Sequence, residues 1–175
     1  ELFPGLYEEV LRPFVYRRYL DFSVFESLRD MKAMIAREVE RRELKENIKL
    51  GPGGIREIEF IVQAFQLLRG GSDRRLQSRE LRTVLPQLVG QRLLRREAVT
   101  DLEAAYRYLR VLENRLQQWN DEQAHLLPED ERARERLALS MNVRSWQALA
   151  EQTNAHRQRV ERYFTQTVFG PTDRE

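Results

Sequence analysis

Residues 96–120, REAVTDLEAAYRYLRVLENRLQQWN, carry the longest regular apolar pattern in the chain. Leu102, Ala105, Leu109, Leu112, Leu116 and Trp119 recur at spacings of three and four. That is the repeat of one helix face, not the alternation of a strand. A seam of this kind packs against neighbouring helices. The same period extends in both directions from it. Ser145 caps a helix over about 146–169, ended by Gly170-Pro171. An Arg/Glu-rich helix covers about 129–141. Upstream, helices are predicted over roughly 4–19, 24–43, 54–69 and 78–92. Pro4 and Gly5 open the first of these. Ser23 with Glu26 forms a capping box for the second, whose buried face is Val24, Leu28, Met31, Ile35 and Val39. Gly70-Gly71 stops the third, and Pro86 kinks or divides the fourth. Ile48-Lys49-Leu50 reads as a short extended stub. The predicted class is all-α, a single helical domain of about seven helices over residues 1–175, with 171–175 a disordered tail.

Composition sets the outer bounds. The chain has 175 residues, enough for one domain with a sizeable core. It has no cysteine, which excludes disulfides and thiolate metal sites. Two histidines, His125 and His156, cannot alone make a three-ligand catalytic zinc site. No apolar run approaches the roughly 18 residues of a membrane span. The first residue is Glu1 and nothing near it reads as a signal peptide, so we expect a piece of a longer cytoplasmic protein. Thirty bases nearly balance 28 acids, for a net charge of +2. Arg and Glu alternate through the same segments, the pattern of solvated helix faces laced with i,i+4 pairs. No basic stripe points to nucleic acid.

Most catalytic templates are absent, among them G-x-x-x-x-G-K-[ST], H-E-x-x-H and G-x-S-x-G. Gly71-Ser72-Asp73 reads as an interhelix turn. His156 shares a face with Leu149, Thr153, Val160 and Tyr163, which makes it a packed histidine. His125 lies in a connection, where solvent can reach it. Tyr16, Arg17, Arg18 and Tyr19 either line a site or cover a helix end. Glu113, Asn114 and Arg115 border the long seam, and Asn120-Asp121-Glu122-Gln123 follows it; capping and interhelix hydrogen bonds account for both groups.

The segment 47–60, NIKLGPGGIREIEF, stands apart. Arg56, Glu59, Gln63 and Gln66 form one polar stripe at about 100° per residue. Glu57 falls between Phe60, Ala64, Leu68 and Ile61. A lone carboxylate on that face is costly to bury, so it pairs with a base or borders a cavity. Gly51-Pro52-Gly53-Gly54 is the strongest turn signal in the chain. A glycine turn at a helix N-terminus offers backbone N–H groups to an anion, and Lys49 and Arg56 flank it with positive charge. The plainer reading is that the glycines only let the chain turn tightly into a buried helix. Spacing leaves both readings open.

Four segments resemble the bifunctional glutamine synthetase adenylyltransferase/adenylyl-removing family. They are Leu11 to Asp21 (LRPFVYRRYLD), Asn47 to Phe60, Leu112 to Gln117 (LENRLQ) and Asp121 to Pro128 (DEQAHLLP). The resemblance runs in order over roughly 5–165. It implies a half that removes AMP from a modified tyrosine of glutamine synthetase by phosphorolysis, giving ADP. The Ile55-Arg56-Glu57-Ile58-Glu59-Phe60 version is similar to that half. In the other, adenylylating half the block reads more like GGMVDIEF. The resemblance further implies Mg²⁺, ATP or ADP and phosphate, PII signalling protein as regulator, and no nucleic acid or membrane partner. The family's metal-binding D-x-D core lies upstream and is absent here. This chain therefore resembles the helical region that follows the α/β core, and should not catalyse by itself. If that region walls one side of the active cleft, the chemistry of the glycine block makes Lys49, Gly51, Gly53, Gly54, Arg56 and Glu57 the candidate nucleotide- or phosphate-binding residues. The alternative is a non-catalytic helical module that binds a protein partner.

Overall fold

The computed structural model describes residues 3–16, 23–41, 44–120 and 125–169. Their architecture is all-α. Helix α1 opens as Phe3–Leu6, passes through a π-helical segment Tyr7–Leu11 and ends in Arg12–Val15. Then follow α2 (Ser23–Arg41), α3 (Ile55–Arg69), α4 (Leu81–Gly90), α5 (Arg96–Asn120), α6 (Glu131–Ser140) and α7 (Trp146–Phe169). Short 3₁₀ turns at Leu44–Glu46 and Arg74–Gln77 join them. Among the described residues the sole β feature is an isolated antiparallel bridge between Asn47 and Leu126.

Helix α5 is the axis of the bundle. Leu102, Ala105, Leu109, Leu112 and Leu116 are all buried, as the seam requires; the Trp119 side chain lies outside the described residues. The seam packs chiefly on α7, through Leu149, Val160 and Phe164. Helix α3 lies against both, burying Ile55, Ile58, Phe60, Ile61, Val62 and Ala64. The Phe60 and Phe164 rings meet edge to face at 5.7 Å. At about 25 cal/mol per Å² of apolar surface removed from water, this three-helix centre dominates the stability.

The helix ends follow several rules. Ser145 Oγ accepts the Ala148 N–H, and Asp130 caps α6 through Ala133 N–H. Asp73 caps the 3₁₀ turn at Arg75 N–H, so Gly71-Ser72-Asp73 is an interhelix turn. Gly70 caps α3 in ordinary right-handed geometry. It is glycine because a Cβ there would lie 2.5 Å from the Tyr16 ring. Tyr16 thus covers a helix end, and its hydroxyl pKa is raised by that burial first and by Tyr7 second. Helices α4 and α6 end on Arg92 and Asn142 in the left-handed region, with Leu93 N–H on Leu88 O and Val143 N–H on Ala138 O.

Four expectations change. Helix α4 begins at Leu81 and runs undivided through Pro86, which is exposed. Helix α1 ends at Val15, short of 19. Ile48–Leu50 is a turn, because Asn47 Oδ1 accepts the Lys49 and Leu50 N–H groups and curls the chain. On α2, Val39 is buried and Ile35 half-buried, but Met31 is exposed. That helix meets α7 while its Met31 and Met34 stand clear of the bundle. The Val24 and Leu28 side chains, the Ser23 cap, Arg17 to Tyr19, Asp121 to Gln123, the Gly170-Pro171 stop and the 171–175 tail lie outside the described residues.

Candidate functional site

The 47–57 block is a knot of its own hydrogen bonds. Asn47 O accepts Gly51 N–H, and Gly51 O accepts Gly54 N–H. At the start of α3, Ile55, Arg56 and Glu57 donate to Ile48 O, Lys49 O and Gly54 O. Gly53 N–H donates to Glu57 Oε2 at 3.0 Å, a capping contact reaching one residue beyond the N-cap, Gly54. The expectation of free backbone N–H groups for an anion is therefore corrected. The chain doubles back so that its own carbonyls, and the Glu57 carboxylate, take those donors.

Helix α7 holds this knot from below. Arg157 is buried, 9% exposed, and its Nε donates to Pro52 O at 2.9 Å. Its Nη2 donates to Lys45 O, and its Nη1 lies 3.8 Å from Glu46. Burial pulls the Arg157 guanidinium below its ordinary pKa, against the raising influence of Glu46, Glu161 and Glu57; arginine stays charged regardless. The turn sits directly on the Arg157 backbone. Gly53 has φ +68°, and a Cβ there would fall 2.1 Å from Arg157 O. A Cβ on Gly51 would meet Asn47 O at 2.6 Å.

The candidate residues consequently face different ways. Gly51, Gly53 and Gly54 are buried. Arg56 and Glu57 border a cavity of about 170 Å³, floored by Val39, Leu50, Phe60 and Phe164, with Glu161 also at its edge. Arg56 is exposed and lies 3.5 Å from Glu59. Lys49 belongs to a second cluster. Its Nζ is 3.5 Å from Oε1 of Glu113, which is only 3% exposed. Arg110 donates to Glu113 Oε2 at 2.7 Å, and His125 Nδ1 approaches Oε1 to 3.3 Å. His125 O also accepts the Ile48 N–H, so this histidine is built into the knot rather than solvated.

Glu57 and Glu59 should differ in stability effect. Glu57→Ala leaves the Gly53 N–H unsatisfied in a part-buried turn, for a loss of about 1–2 kcal/mol. Glu59→Ala loses only a long contact to an exposed arginine and should cost about 0.5 kcal/mol or less. Urea midpoints of the two variants check the order.

Both histidines have lowered pKa values. For His125 the causes are burial, then Lys49, against Glu113; for His156, burial, then Arg159, against Asp101. His156 is packed as expected, stacked on the Tyr108 ring at 4.5 Å. The unfolded chain binds protons at these residues at higher pH than the folded one. Their stabilising contribution is thus full above the ordinary value near 6.5 and is lost as pH falls from there through the folded values. We expect the urea midpoint to drop between pH 7.5 and 5.5. Replacing both histidines with Gln should flatten that drop.

Arg157 was missed by the motif reading, and Glu113 was read only as a capping or interhelix hydrogen-bonding residue, yet each left a signal. Arg157 falls four after Thr153 and three before Val160; Glu113 falls four after Leu109 and three before Leu116. Each is a charge on an apolar stripe. The rest of the polar stripe is as read: Gln66 Nε2 donates to Leu76 O and Ser78 O, pinning the 3₁₀ turn to α3. No described helix is long and apolar enough to cross a membrane. Among the described residues no three His, Asp or Glu side chains converge in a metal-holding group.

The sequence model of GlnD PII-uridylyltransferase matches residues 29–168, from α2 to the last turn of α7, with the whole glycine knot inside. This is a nucleotidyltransferase family related to the one that the sequence blocks resemble. The match spans well over half of the chain, which therefore belongs to the GlnD PII-uridylyltransferase family.

Proposed function

We propose that the chain is the helical region of a nucleotidyltransferase half that removes AMP from the modified tyrosine of glutamine synthetase. In that reaction a phosphate oxygen attacks the AMP phosphorus, the tyrosine O–P bond breaks, and ADP leaves. PII signalling protein is the proposed regulator. No three His, Asp or Glu side chains converge among the described residues, so in this reading the Mg²⁺ is held by residues outside them. The helical region walls one side of the cleft. One observation carries this reading: the most tightly enforced corner of the bundle is the resembling block itself, and the cationic ends at its surface are Lys49 and Arg56. A rigid turn that fixes two bases is suited to holding anionic reactants.

A second reading has its own support. The matching family is named for uridylyl transfer to PII. The test uses full-length protein in two assays. Adenylylated glutamine synthetase with phosphate and Mg²⁺ should release ADP; PII with UTP should not gain uridylyl mass. The reverse result would establish the second reading, and neither activity would favour a non-catalytic partner-binding module. Arg56→Ala should lower deadenylylation roughly 10- to 150-fold, the loss of one charge-assisted hydrogen bond. Its melting temperature should not change. A loss of rate that tracks unfolding would return the block to a structural role.

A further inference from the structure

The Lys49 cluster holds two buried polar atoms without a hydrogen bond, on facing side chains. Glu113 Oε2 is well served by Arg110 at 2.7 Å. Oε1 is fully buried and receives no hydrogen bond, although Lys49 Nζ and His125 Nδ1 stand 3.5 and 3.3 Å away. The His125 Nδ1 atom is likewise buried and unbonded. Lys49 differs from both neighbours: its side chain is 31% exposed, and a lysine stem is long and flexible. One oxygen therefore has two alternative cationic partners. One can leave for solvent, and the other is fixed by its carbonyl bond to Ile48 and needs only a proton.

We infer that Glu113 and His125 are positioning residues for Lys49: an oxyanion at the turn draws the Lys49 ammonium off Glu113, and His125 takes a proton from solvent in its place. The inference rests on the reading of Lys49 as an anion-binding base. Charge balances at every stage. Before binding, the carboxylate faces the ammonium and a neutral imidazole; afterwards it faces an imidazolium while the ammonium faces the anion. Among the described residues, the charged groups around His125 are Lys49 from the turn, and Glu113 with its partner Arg110 from α5. Of these, Lys49 disfavours the imidazolium and Glu113 favours it, so withdrawing Lys49 removes the opposing charge. Without this exchange, anion binding would leave a buried carboxylate oxygen uncompensated, which is costly.

The test is titration calorimetry of the full-length protein with sodium sulfate near pH 7, in buffers of different ionisation enthalpy. Sulfate does not itself titrate there, so the proton count belongs to the protein. Binding should take up a fraction of one proton per sulfate and tighten as pH falls, by at most about tenfold per pH unit. His125→Gln should still bind sulfate, with the uptake gone. NMR of the labelled His125 ring supplies a second readout: Lys49→Met should raise its pKa without any anion. Sulfate binding without proton uptake, full uptake in His125→Gln, or an unmoved His125 titration in Lys49→Met would overturn the exchange and leave the anion site standing. Equal sulfate affinity in wild type and Lys49→Met, or none in wild type, would overturn both.

Discussion

Gly53→Ala should be the most damaging single-methyl change in the knot, lowering stability by roughly 2–5 kcal/mol. Two costs add. A non-glycine residue at φ +68° carries about 1–2 kcal/mol of backbone strain. The new methyl also lies 2.1 Å from Arg157 O and 2.6 Å from its Cα. Those atoms are helix backbone in the middle of α7, so they cannot swing aside as a side chain would. Overpacking of this kind costs about 1–3 kcal/mol. Gly90→Ala is the control. It sits at the end of α4 with nothing within 4 Å of the added carbon, and should leave the urea midpoint unchanged or slightly raised. Equal midpoints for the two variants would mean that the turn does not sit on α7 as described.

Arg157→Leu should come next, at about 3 kcal/mol or more. The leucine fills part of the volume but strands the Pro52 and Lys45 carbonyls, each a loss of roughly 1–3 kcal/mol. Arg157→Lys should recover less than half. A single ammonium cannot reproduce the fork by which Nε and Nη2 reach two carbonyls at once. Arg159→Ala, two residues away and exposed, should stay within about 0.5 kcal/mol. Limited proteolysis gives a second check: cleavage within 44–54 should rise in Arg157→Leu and not in Arg159→Ala. Denaturant midpoints that fail to separate these two arginines would remove the clamp from the account.

The bundle was readable because its period is strong. Five described positions of the α5 seam are buried as the spacing of three and four demands, and Ser145 caps where its hydroxyl was expected to. Helix stops were less readable. Arg92 and Asn142 hold the left-handed position that glycine usually marks, because the helix-ending hydrogen bonds to Leu88 and Ala138 carry them there against intrinsic preference. At the glycine block the motif was legible and its inward chemistry was not. Local sequence shows how many N–H groups a turn offers. It does not show that the same turn will supply carbonyls to accept them, nor that an arginine more than a hundred residues away will donate to the carbonyls of Pro52 and Lys45. Arg157 could have been flagged as a charge on an apolar stripe, as Glu113 was beside the α5 seam. Their partners could not, since pairing depends on how α5, α7 and the turn are brought together.

The span of the Arg157 clamp also sets an order of events during synthesis. Arg157 follows Pro52 by 105 residues. A ribosome adding about 5–20 residues per second needs roughly 5–20 s to reach it. By the end of that interval α3 and α5 have been synthesised, but until then the glycine segment has no floor to rest on. A nascent chain released just before residue 157 keeps much of the apolar core and none of the clamp, which makes its open turn an early target for chaperones and proteases.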